Sequence, residues 1–144
     1  MRRWITESEE ETRRLGAALA AEIAPDGLLL LSGDLGAGKT ILTQGVASAL
    51  GIDAAEVQSP TYTLVREHQG TAGALVHIDL YRLAPDDVAA LGLEETLALE
   101  AVKVIEWAER LPWRPAADLC LELRRTGDGE AREIREIDLA AVGE

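Results

Sequence analysis

The first regular feature of the chain is an apolar repeat near its N-terminus. Hydrophobic side chains recur at the spacing of one helix face, at Leu15, Leu19 and Ile23. Thr6 and Glu9 stand three residues apart, as in an N-terminal capping box. Residues 25–27, Pro-Asp-Gly, are typical of the end of a helix. The pattern therefore predicts a helix that begins near Thr6 and ends before residue 25.

Two apolar runs without polar alternation predict strands that are buried on both faces. One is residues 28–31, four consecutive leucines, and the other is residues 101–106, Ala-Val-Lys-Val-Ile-Glu. After the first run, a glycine-rich loop at 33–38 leads into a second helical repeat that Gly51 closes. The apolar positions of that repeat are Leu42, Val46 and Leu50. An α/β protein is the class that this order favours.

The rest of the chain predicts shorter elements. They are strands 61–67 and 74–79 around a turn at 70–73, helical segments at 85–91 and 92–100, a linker at 111–115, and strands 119–125 and 133–139 around a turn at 127–129. The strand pairs add antiparallel neighbours to an α/β core. We therefore expect a single α/β domain over residues 1–144, with a mixed, partly antiparallel sheet flanked by helices.

The glycine-rich loop carries a complete phosphate-binding motif. Its residues match G-x-x-x-x-G-K-[ST] at every fixed position: Gly33, Asp34, Leu35, Gly36, Ala37, Gly38, Lys39 and Thr40. Glycines let successive backbone N–H groups converge on phosphate oxygens, and the following helix directs its positive end to the same anion. Lys39 is expected to reach the β- and γ-phosphates, and the Thr40 hydroxyl to bind Mg²⁺. The motif predicts a nucleotide-binding P-loop, and we include the next residue, Ile41, in the binding site.

Two carboxylates end apolar strands, which is where a P-loop enzyme needs an acidic group beside Mg²⁺. Asp79 ends the run 75–79, and Glu106 ends the run 102–106. One of them can hold the metal while the other orients the attacking water. The residues alone leave open which carboxylate has which role.

Three further positions are weaker candidates. His77 alternates with apolar neighbours on a predicted strand, and we interpret it as a structural histidine. Residues 59–63, Ser-Pro-Thr-Tyr-Thr, lie where P-loop proteins have switch segments. Thr61 is therefore a candidate sensor of the γ-phosphate, with a proline-fixed strand entry as the alternative. Arg82 could clamp a phosphate, although a surface ion pair with one of the nearby aspartates at 86 and 87 is favoured.

The net charge of the chain disfavours polyanionic partners, and the scarcity of lysine makes the lysine of the phosphate loop more informative. The 14 basic and 26 acidic residues give a net charge of −12, which disfavours binding to bare nucleic acid or to acidic membranes. Lys39 and Lys103 are the two lysines of the chain, so one of them stands at the phosphate-binding position.

Cysteine usage and hydropathy indicate the compartment. The single cysteine, Cys120, excludes an intramolecular disulfide, and we interpret it as a buried apolar side chain in a reducing environment. The N-terminus lacks a signal-peptide pattern, and no apolar run reaches the roughly 18 residues of a membrane span. We expect a cytoplasmic protein without membrane contact.

Six sequence blocks together resemble the TsaE family, the small bacterial ATPase subunit of tRNA threonylcarbamoyladenosine biosynthesis. In chain order they are Glu-Glu-Thr-x-x-Leu-Gly at 10–16, the loop at 33–40, Ser-Pro-Thr-Tyr-Thr-Leu-Val at 59–65, His-Ile-Asp-Leu-Tyr-Arg-Leu at 77–83, Gly-Leu-Glu-Glu at 92–95 and Ile-Glu-Trp at 105–107. The resemblance covers about residues 8–110. Glu-Ala-Arg at 130–132 looks like a further family feature near the nucleotide.

The resemblance implies an ATP-binding P-loop fold with Mg²⁺ held by Thr40 and Glu106. It also implies an essential Asp79 and a switch-like segment at 59–63, so we name Asp79, Lys39 and Thr61 as the catalytic residues. At position 41 the family commonly has a second threonine and this chain has Ile41. Because Thr40 keeps the metal-binding hydroxyl, we expect little effect on the chemistry.

The same resemblance implies a heteromeric complex with the TsaB and TsaD proteins. In the family, TsaD transfers threonylcarbamoyl to N6 of adenosine 37 in tRNAs that read codons beginning with A. The ATPase subunit does not perform the transfer, and its hydrolysis resets the complex between turnovers. Contact with tRNA would therefore be indirect, through the partners.

Three alternative functions stay open from the residues. A small-molecule kinase shares the loop, but it usually adds an arginine-rich lid, whereas the arginines at 110, 114, 124 and 125 are scattered or lie in the last strand pair. A GTPase commonly recognises guanine through Asn-Lys-x-Asp, and this chain has no asparagine. The third alternative is an ATP-dependent scaffold in which hydrolysis is incidental.

Overall fold

The computed structural model describes residues 1–34, 36–58 and 65–138. Within these ranges the strands are β1 (Arg3–Thr6), β2 (Leu28–Ser32), β3 (Val65–Gln69), β4 (Ala74–Asp79), β5 (Val102–Glu106), β6 (Leu119–Arg125) and β7 (Arg132–Glu136). The helices are α1 (Glu9–Ile23), α2 (Lys39–Ala49), α3 (Pro85–Ala89) and α4 (Leu93–Leu97), with short 3-10 turns at Ala54–Glu56 and Ala108–Arg110.

One mixed sheet joins the described strands, in the order β1-β7-β6-β2-β5-β4-β3. The central strand β2 pairs in parallel with β5 and β6, and β5 pairs in parallel with β4. The outer pairs β3–β4, β6–β7 and β1–β7 are antiparallel. The predicted α/β class with a partly antiparallel sheet is confirmed. All residues of β2 and β5 are buried, as their unbroken apolar runs predicted.

Helices cover both faces of the sheet because successive side chains of a strand point to opposite sides. Leu29 and Leu31 of β2 pack in a cluster with residues of α1 and α2. Leu28 and Leu30 belong to a second cluster, on the opposite face, with residues of α3, α4 and the chain after β5. Of the helices in the described ranges, none is long and apolar enough to cross a membrane.

The start of α1 differs from the prediction. Ser8 is its N-cap, and its side chain accepts a hydrogen bond from the Glu11 backbone N–H at 3.1 Å. Thr6 instead ends β1, where its hydroxyl lies 2.7 Å from that of Thr12. The capping box at Thr6 and Glu9 was therefore wrong, because pairing with β7 holds Thr6 in an extended strand.

Strand ends also differ from the sequence pattern. β1 was not predicted at all, because it has four residues and pairs with β7 at the far end of the chain. β3 begins at Val65 and extends to Gln69, past the predicted end, while residues 61–64 lie outside the described part. β7 begins at Arg132, one residue early, because Arg132 pairs with Arg125 of β6. Leu139, the predicted end of that strand, is also outside the described residues.

Two glycines let α1 and α2 cross in close contact. A Cβ atom on Gly45 would lie inside contact distance of the Arg13 backbone oxygen, and one on Gly16 would meet the Leu42 oxygen. We expect Gly45→Ala to lower the free energy of unfolding by about 2 kcal/mol. Overpacking costs about 1–3 kcal/mol, and backbone atoms cannot rotate away as side chains do, which places this site at the upper end. The gain in helix propensity, about 1 kcal/mol, offsets part of the cost.

Urea unfolding measures the Gly45→Ala effect, with Gly127→Ala as the matched control. A Cβ on Gly127 meets no atom within 4 Å, so this variant should unfold like the wild type. Equal stability of Gly45→Ala and Gly127→Ala would contradict the close crossing.

Glu133 of β7 joins three strands by ion pairs. Its Oε2 accepts from Arg3 Nε at 2.7 Å, and its Oε1 accepts from Arg124 Nε at 2.8 Å. These hydrogen bonds, that from Arg3 first, hold the pKa of Glu133 below its ordinary value of 4.5. Its stabilising contribution is therefore fully present above pH 4.5 and is lost as the pH falls through the lower pKa of the folded state.

We expect Glu133→Gln to be less stable than the wild type at pH 7, with a difference that shrinks as the pH falls below about 4. Urea unfolding at several pH values between 7 and 3 measures this difference. Glu94→Gln, on an exposed position of α4, is the control and should track the wild type across the range. A Glu133→Gln deficit that stays constant with pH would contradict the assigned ion pairs.

Candidate nucleotide-binding site

The phosphate-binding loop connects the end of β2 to the start of α2, as predicted. Gly38 is the N-cap of α2 with φ 104°, a left-handed conformation that favours glycine, and no side chain caps this helix end. The first backbone N–H groups of a helix have no partner within it, so those that follow Gly38 are available to an anion. Gly33 has φ 139°, and a Cβ atom there would collide with the Leu123 backbone oxygen. Glycine is therefore required at both ends of the described loop.

A cavity of about 330 Å³ opens at this loop. The described residues that line it are Glu9, Gly36, Ala37, Gly38, Lys39, Thr40, Ile41, Glu106, Trp107, Arg125 and Arg132. The structure thus brings Glu106 together with five residues of the motif and with Ile41. Gly33 and Asp34 are not among the described residues that line the cavity, but their backbone oxygens accept hydrogen bonds from Lys39. Leu35 is outside the described residues.

The Lys39 side chain is folded onto the loop. Its Nζ donates to the Gly33 oxygen at 2.6 Å and to the Asp34 oxygen at 2.9 Å, and it lies 4.1 Å from the centre of the Trp107 ring. Burial lowers the pKa of Lys39, while nearby carboxylates, Glu106 foremost, oppose this effect. A phosphate at the loop would offer the ammonium oxygen acceptors in place of the two carbonyls.

Thr40 and Glu106 are joined by hydrogen bonds in the lining of the cavity. The Thr40 hydroxyl donates to the two carboxylate oxygens of Glu106 at 3.0 and 3.2 Å. His77 Nε2 contacts Oε2 of the same carboxylate. Among the described residues, no group of three or more His, Cys, Asp or Glu side chains could hold a metal ion. Two oxygen ligands nevertheless fit Mg²⁺, which usually takes one or two protein ligands and fills its remaining positions with water and phosphate oxygens.

Asp79 lies beside Glu106, since the two residues are register partners at the ends of β4 and β5. It is buried, and its Oδ1 accepts a hydrogen bond from the Tyr81 backbone N–H at 2.9 Å. Asp79 is not among the described residues that line the cavity, so Glu106 is the one of these two strand-end carboxylates that is exposed to that space. The two predicted strand-end carboxylates are thus brought together, with different access to the cavity.

Two aromatic rings lie beside the lysine, and one of them, Trp107, contacts it. The centre of the Trp107 ring lies 4.9 Å from that of Tyr81, with the two rings tilted by 40°, and the Arg110 guanidinium lies near both rings. Trp107 is the one non-glycine residue with positive φ in the described ranges, at φ 61°. Such a conformation is costly for a bulky residue and is often found at functional sites.

The last strand pair supplies two cations to the cavity, Arg125 of β6 and Arg132 of β7. The family resemblance placed residues 130–132 near the nucleotide, whereas Arg125 was not predicted to lie at the site. Arg132 is buried, and its Nε has no hydrogen-bond partner within the described part of the chain. Burial and the charge of Arg125 lower the pKa of Arg132. An unpartnered guanidinium N–H at a P-loop cavity fits an anionic ligand such as ATP.

The sequence and fold of the chain are similar to those of known proteins. A profile of the family described as "Threonylcarbamoyl adenosine biosynthesis protein TsaE" matches residues 6–134. The chain belongs to the TsaE family. A family member from Bacillus subtilis, named tRNA threonylcarbamoyladenosine biosynthesis protein TsaE, is 39% identical over 142 residues, which are 98% of this chain and 86% of the relative. A Streptomyces coelicolor protein of the same name is 39% identical over 137 residues, 92% of this chain and 91% of its own.

A TsaE-type fold is also visible in a solved structure. The crystal structure of Bacillus subtilis YdiB superposes with a TM-score of 0.71 at 35% identity, covering 94% of this chain and 83% of that one. The sequence resemblance to the TsaE family is therefore confirmed, and the family profile extends into the last strand pair, beyond the range that the sequence blocks covered.

Other predicted positions of this TsaE-family chain have separate outcomes. Thr61 and the rest of the segment 59–63 lie outside the described residues. Arg82 is exposed, and none of the ion pairs found among the described residues joins it to Asp86 or Asp87. The Asp87 carboxylate instead accepts from the Ala84 backbone N–H at 3.3 Å. His77 is buried, as expected of a structural histidine, but its partner is the candidate metal ligand.

Sequence reasoning missed two acidic residues of this site altogether. Glu9 reaches the cavity because its backbone N–H donates to Glu130 of the last strand pair at 3.1 Å. Glu109 lies beneath the loop, where its Oε2 accepts from the Gly33 N–H at 3.2 Å. No local pattern identifies either residue, since each contact joins segments more than 70 residues apart, with separations of 121 and 76.

Proposed function

We propose that this protein is the ATP-binding and ATP-hydrolysing subunit of a complex that makes threonylcarbamoyladenosine at position 37 of tRNAs reading ANN codons. The observation that carries this function is the P-loop cavity of a TsaE-family chain, in which Lys39 and Thr40 face the Glu106 carboxylate. The names of its relatives state the pathway. All 144 residues are proposed to form one ATPase domain, which the continuous sheet of the seven described strands supports.

Different residues of the cavity bind the phosphates and the metal ion in this proposal. The loop and the first turn of α2, residues 33–41, bind the phosphates in this proposal, through those backbone N–H groups that have no partner within the protein, and Lys39 contacts the β- and γ-phosphates. Thr40 and Glu106 hold Mg²⁺. When bound, Mg²⁺ neutralises the charge that develops on the phosphate oxygens.

Hydrolysis needs a group that orients water, and we assign it to Asp79. This carboxylate lies next to Glu106 in the sheet register, and Glu106 is already engaged with Thr40 and His77. We therefore assign the metal to Glu106, and we propose that the Asp79 carboxylate accepts a proton from water. Thr61 of the switch-like segment senses the γ-phosphate in this proposal.

The charge distribution supports a small anionic ligand and an indirect contact with tRNA. Lys39, Arg125 and Arg132 surround the cavity, while the chain as a whole has a net charge of −12. A local cationic site holds one nucleotide, whereas the overall charge repels a polyanion at longer range. We therefore propose that TsaB and TsaD carry the tRNA contacts, and that ATP hydrolysis resets their complex instead of driving the transfer itself. The cytoplasmic location expected from the sequence stays a prediction.

Turnover of Mg-ATP with and without TsaB and TsaD tests this function. We expect weak hydrolysis by the isolated protein and stimulation by the partner pair. Absence of stimulation, with partners shown to bind, would contradict the regulatory role. GTP bound in preference to ATP would favour the GTPase alternative.

A small-molecule kinase is the second candidate function. The observation that favours it is the presence of Arg125 and Arg132 at the cavity. Kinases use such cations to stabilise the transferred phosphoryl group. Both residues lie in strands of the sheet, however, and not in a separate lid. Release of inorganic phosphate in proportion to ADP supports the ATPase, while a phosphorylated product in a metabolite mixture supports the kinase.

A further inference from the structure

A buried histidine contacts the candidate metal ligand. His77 of β4 is fully buried, and its Nε2 meets Glu106 Oε2. Its other ring nitrogen, Nδ1, is buried with no partner among the described residues. Burying a polar ring costs free energy unless hydrogen bonds compensate, and Leu75, which shares the face of β4 with His77, is a fully buried apolar side chain. The contact with Glu106 is therefore the interaction that accounts for a histidine at this position.

The carboxylate of Glu106 is held by two side chains. Thr40 donates to Oε1 at 3.0 Å and to Oε2 at 3.2 Å, and His77 meets Oε2. His77 pairs in register with Val104, two residues before Glu106 on the neighbouring strand, so both side chains project from the same face of the sheet. A glutamate side chain has several rotatable bonds, and ordering it costs conformational entropy. The contact with His77 orders the Glu106 side chain before a ligand binds, so this entropy is not lost again on binding. It also leaves Oε1 directed at Thr40.

We propose that His77 is a positioning residue, which orients the Glu106 carboxylate for Mg²⁺. The inference rests on the proposed function, which assigns the metal to Thr40 and Glu106. Carboxylates that bind metals are themselves held by hydrogen bonds, and loss of such a partner typically lowers metal affinity or activity about 10–100-fold. His77 would act through Glu106 and would not touch the metal or the nucleotide.

The test measures metal-dependent binding without turnover. Calorimetry gives the affinity for the nonhydrolysable analogue adenosine 5′-(β,γ-imido)triphosphate in EDTA and at increasing free Mg²⁺. We expect His77→Leu to raise the Mg²⁺ concentration at half-maximal effect about 10–100-fold, with affinity in EDTA within about twofold of the wild type. His77→Gln, whose amide N–H can occupy the place of Nε2, should stay within about threefold. His68→Leu, the same change on the adjacent strand β3, should behave like the wild type.

The outcomes separate this proposal from the function on which it rests. A wild type that does not bind the analogue, or binds it without any Mg²⁺ effect, would overturn the proposed function. A wild type with the Mg²⁺ effect and a His77→Leu variant with an unchanged Mg²⁺ midpoint would overturn the positioning role alone. If His77→Leu does not fold, His77→Asn takes its place, because its shorter side chain cannot reach Glu106 as glutamine does. Equal Mg²⁺ midpoints for the Asn and Gln variants would then overturn the proposal.

Discussion

Lys39→Met is expected to lower ATP turnover about 10³-fold and to weaken ATP binding markedly. The ammonium group is buried at the cavity, and its two hydrogen bonds go to carbonyls of the phosphate loop. In P-loop proteins this group stabilises charge on the transferred phosphoryl group, and loss of one preorganised electrostatic contact typically costs about 10²–10³ in rate. Methionine keeps most of the apolar stem, so the variant isolates the charge.

Lys103→Met is the matched control for Lys39→Met. Lys103 is the other lysine of the chain, it is equally buried, and its Nζ donates to the Asp26 and Leu99 oxygens, each at 2.8 Å. It lies on β5 at the opposite end from Glu106. Both variants should lose stability in urea unfolding, while Lys39→Met alone loses ATP binding in calorimetry. A parallel loss of binding in both variants would mean that the Lys39 effect is structural.

Asp79→Asn is expected to stop most turnover while ATP binding stays within about threefold of the wild type. An amide cannot accept a proton from the attacking water, and general-base catalysis typically contributes about 10²–10⁴ in rate. Asparagine keeps an oxygen that can accept the hydrogen bond from the Tyr81 N–H, so the backbone turn after β4 should persist. Single-turnover hydrolysis and calorimetry together measure the two effects.

Glu106→Gln separates the roles of the two carboxylates. Because Glu106 is proposed to hold Mg²⁺, its variant should lose the Mg²⁺ dependence of binding, which Asp79→Asn should retain. The reverse pattern would exchange the two assignments. In the reconstituted tRNA modification reaction, normal product formation by Asp79→Asn over many turnovers would favour the scaffold alternative.

The motif and the strand-end carboxylates were predictable because each depends on a short contiguous stretch. Eight consecutive residues define the phosphate loop, and the apolar runs before Asp79 and Glu106 predicted strands that end at those residues, as β4 and β5 do. Local sequence did not predict the start of α1, because hydrogen bonds to a distant strand decide which residue caps this helix. Ser8, and not Thr6, caps α1 because β1 forms only when β7 is beside it.

The rest of the site depends on strand order, which periodicity does not encode. An apolar period of two or 3.6 residues indicates which side chains are buried, but not which strand becomes the neighbour. Arg125 and Arg132 reach the P-loop because β6 pairs with β2 and β7 pairs with β6. Likewise, His77 reaches Glu106 because β4 and β5 align in parallel register, although 29 residues separate them.

Residue patterns alone were therefore sufficient for the α/β class, the nucleotide-binding loop and the family. The first two follow from backbone geometry and burial within single elements, and the family follows from the resemblance of the six sequence blocks. Packing of the whole sheet was needed to bring the two ends of the chain, through Glu9 and Arg132, to one cavity. It also gave Glu106 its two partners, Thr40 and His77. Contacts of this kind join distant segments, and their free energy depends on all the neighbouring strands at once.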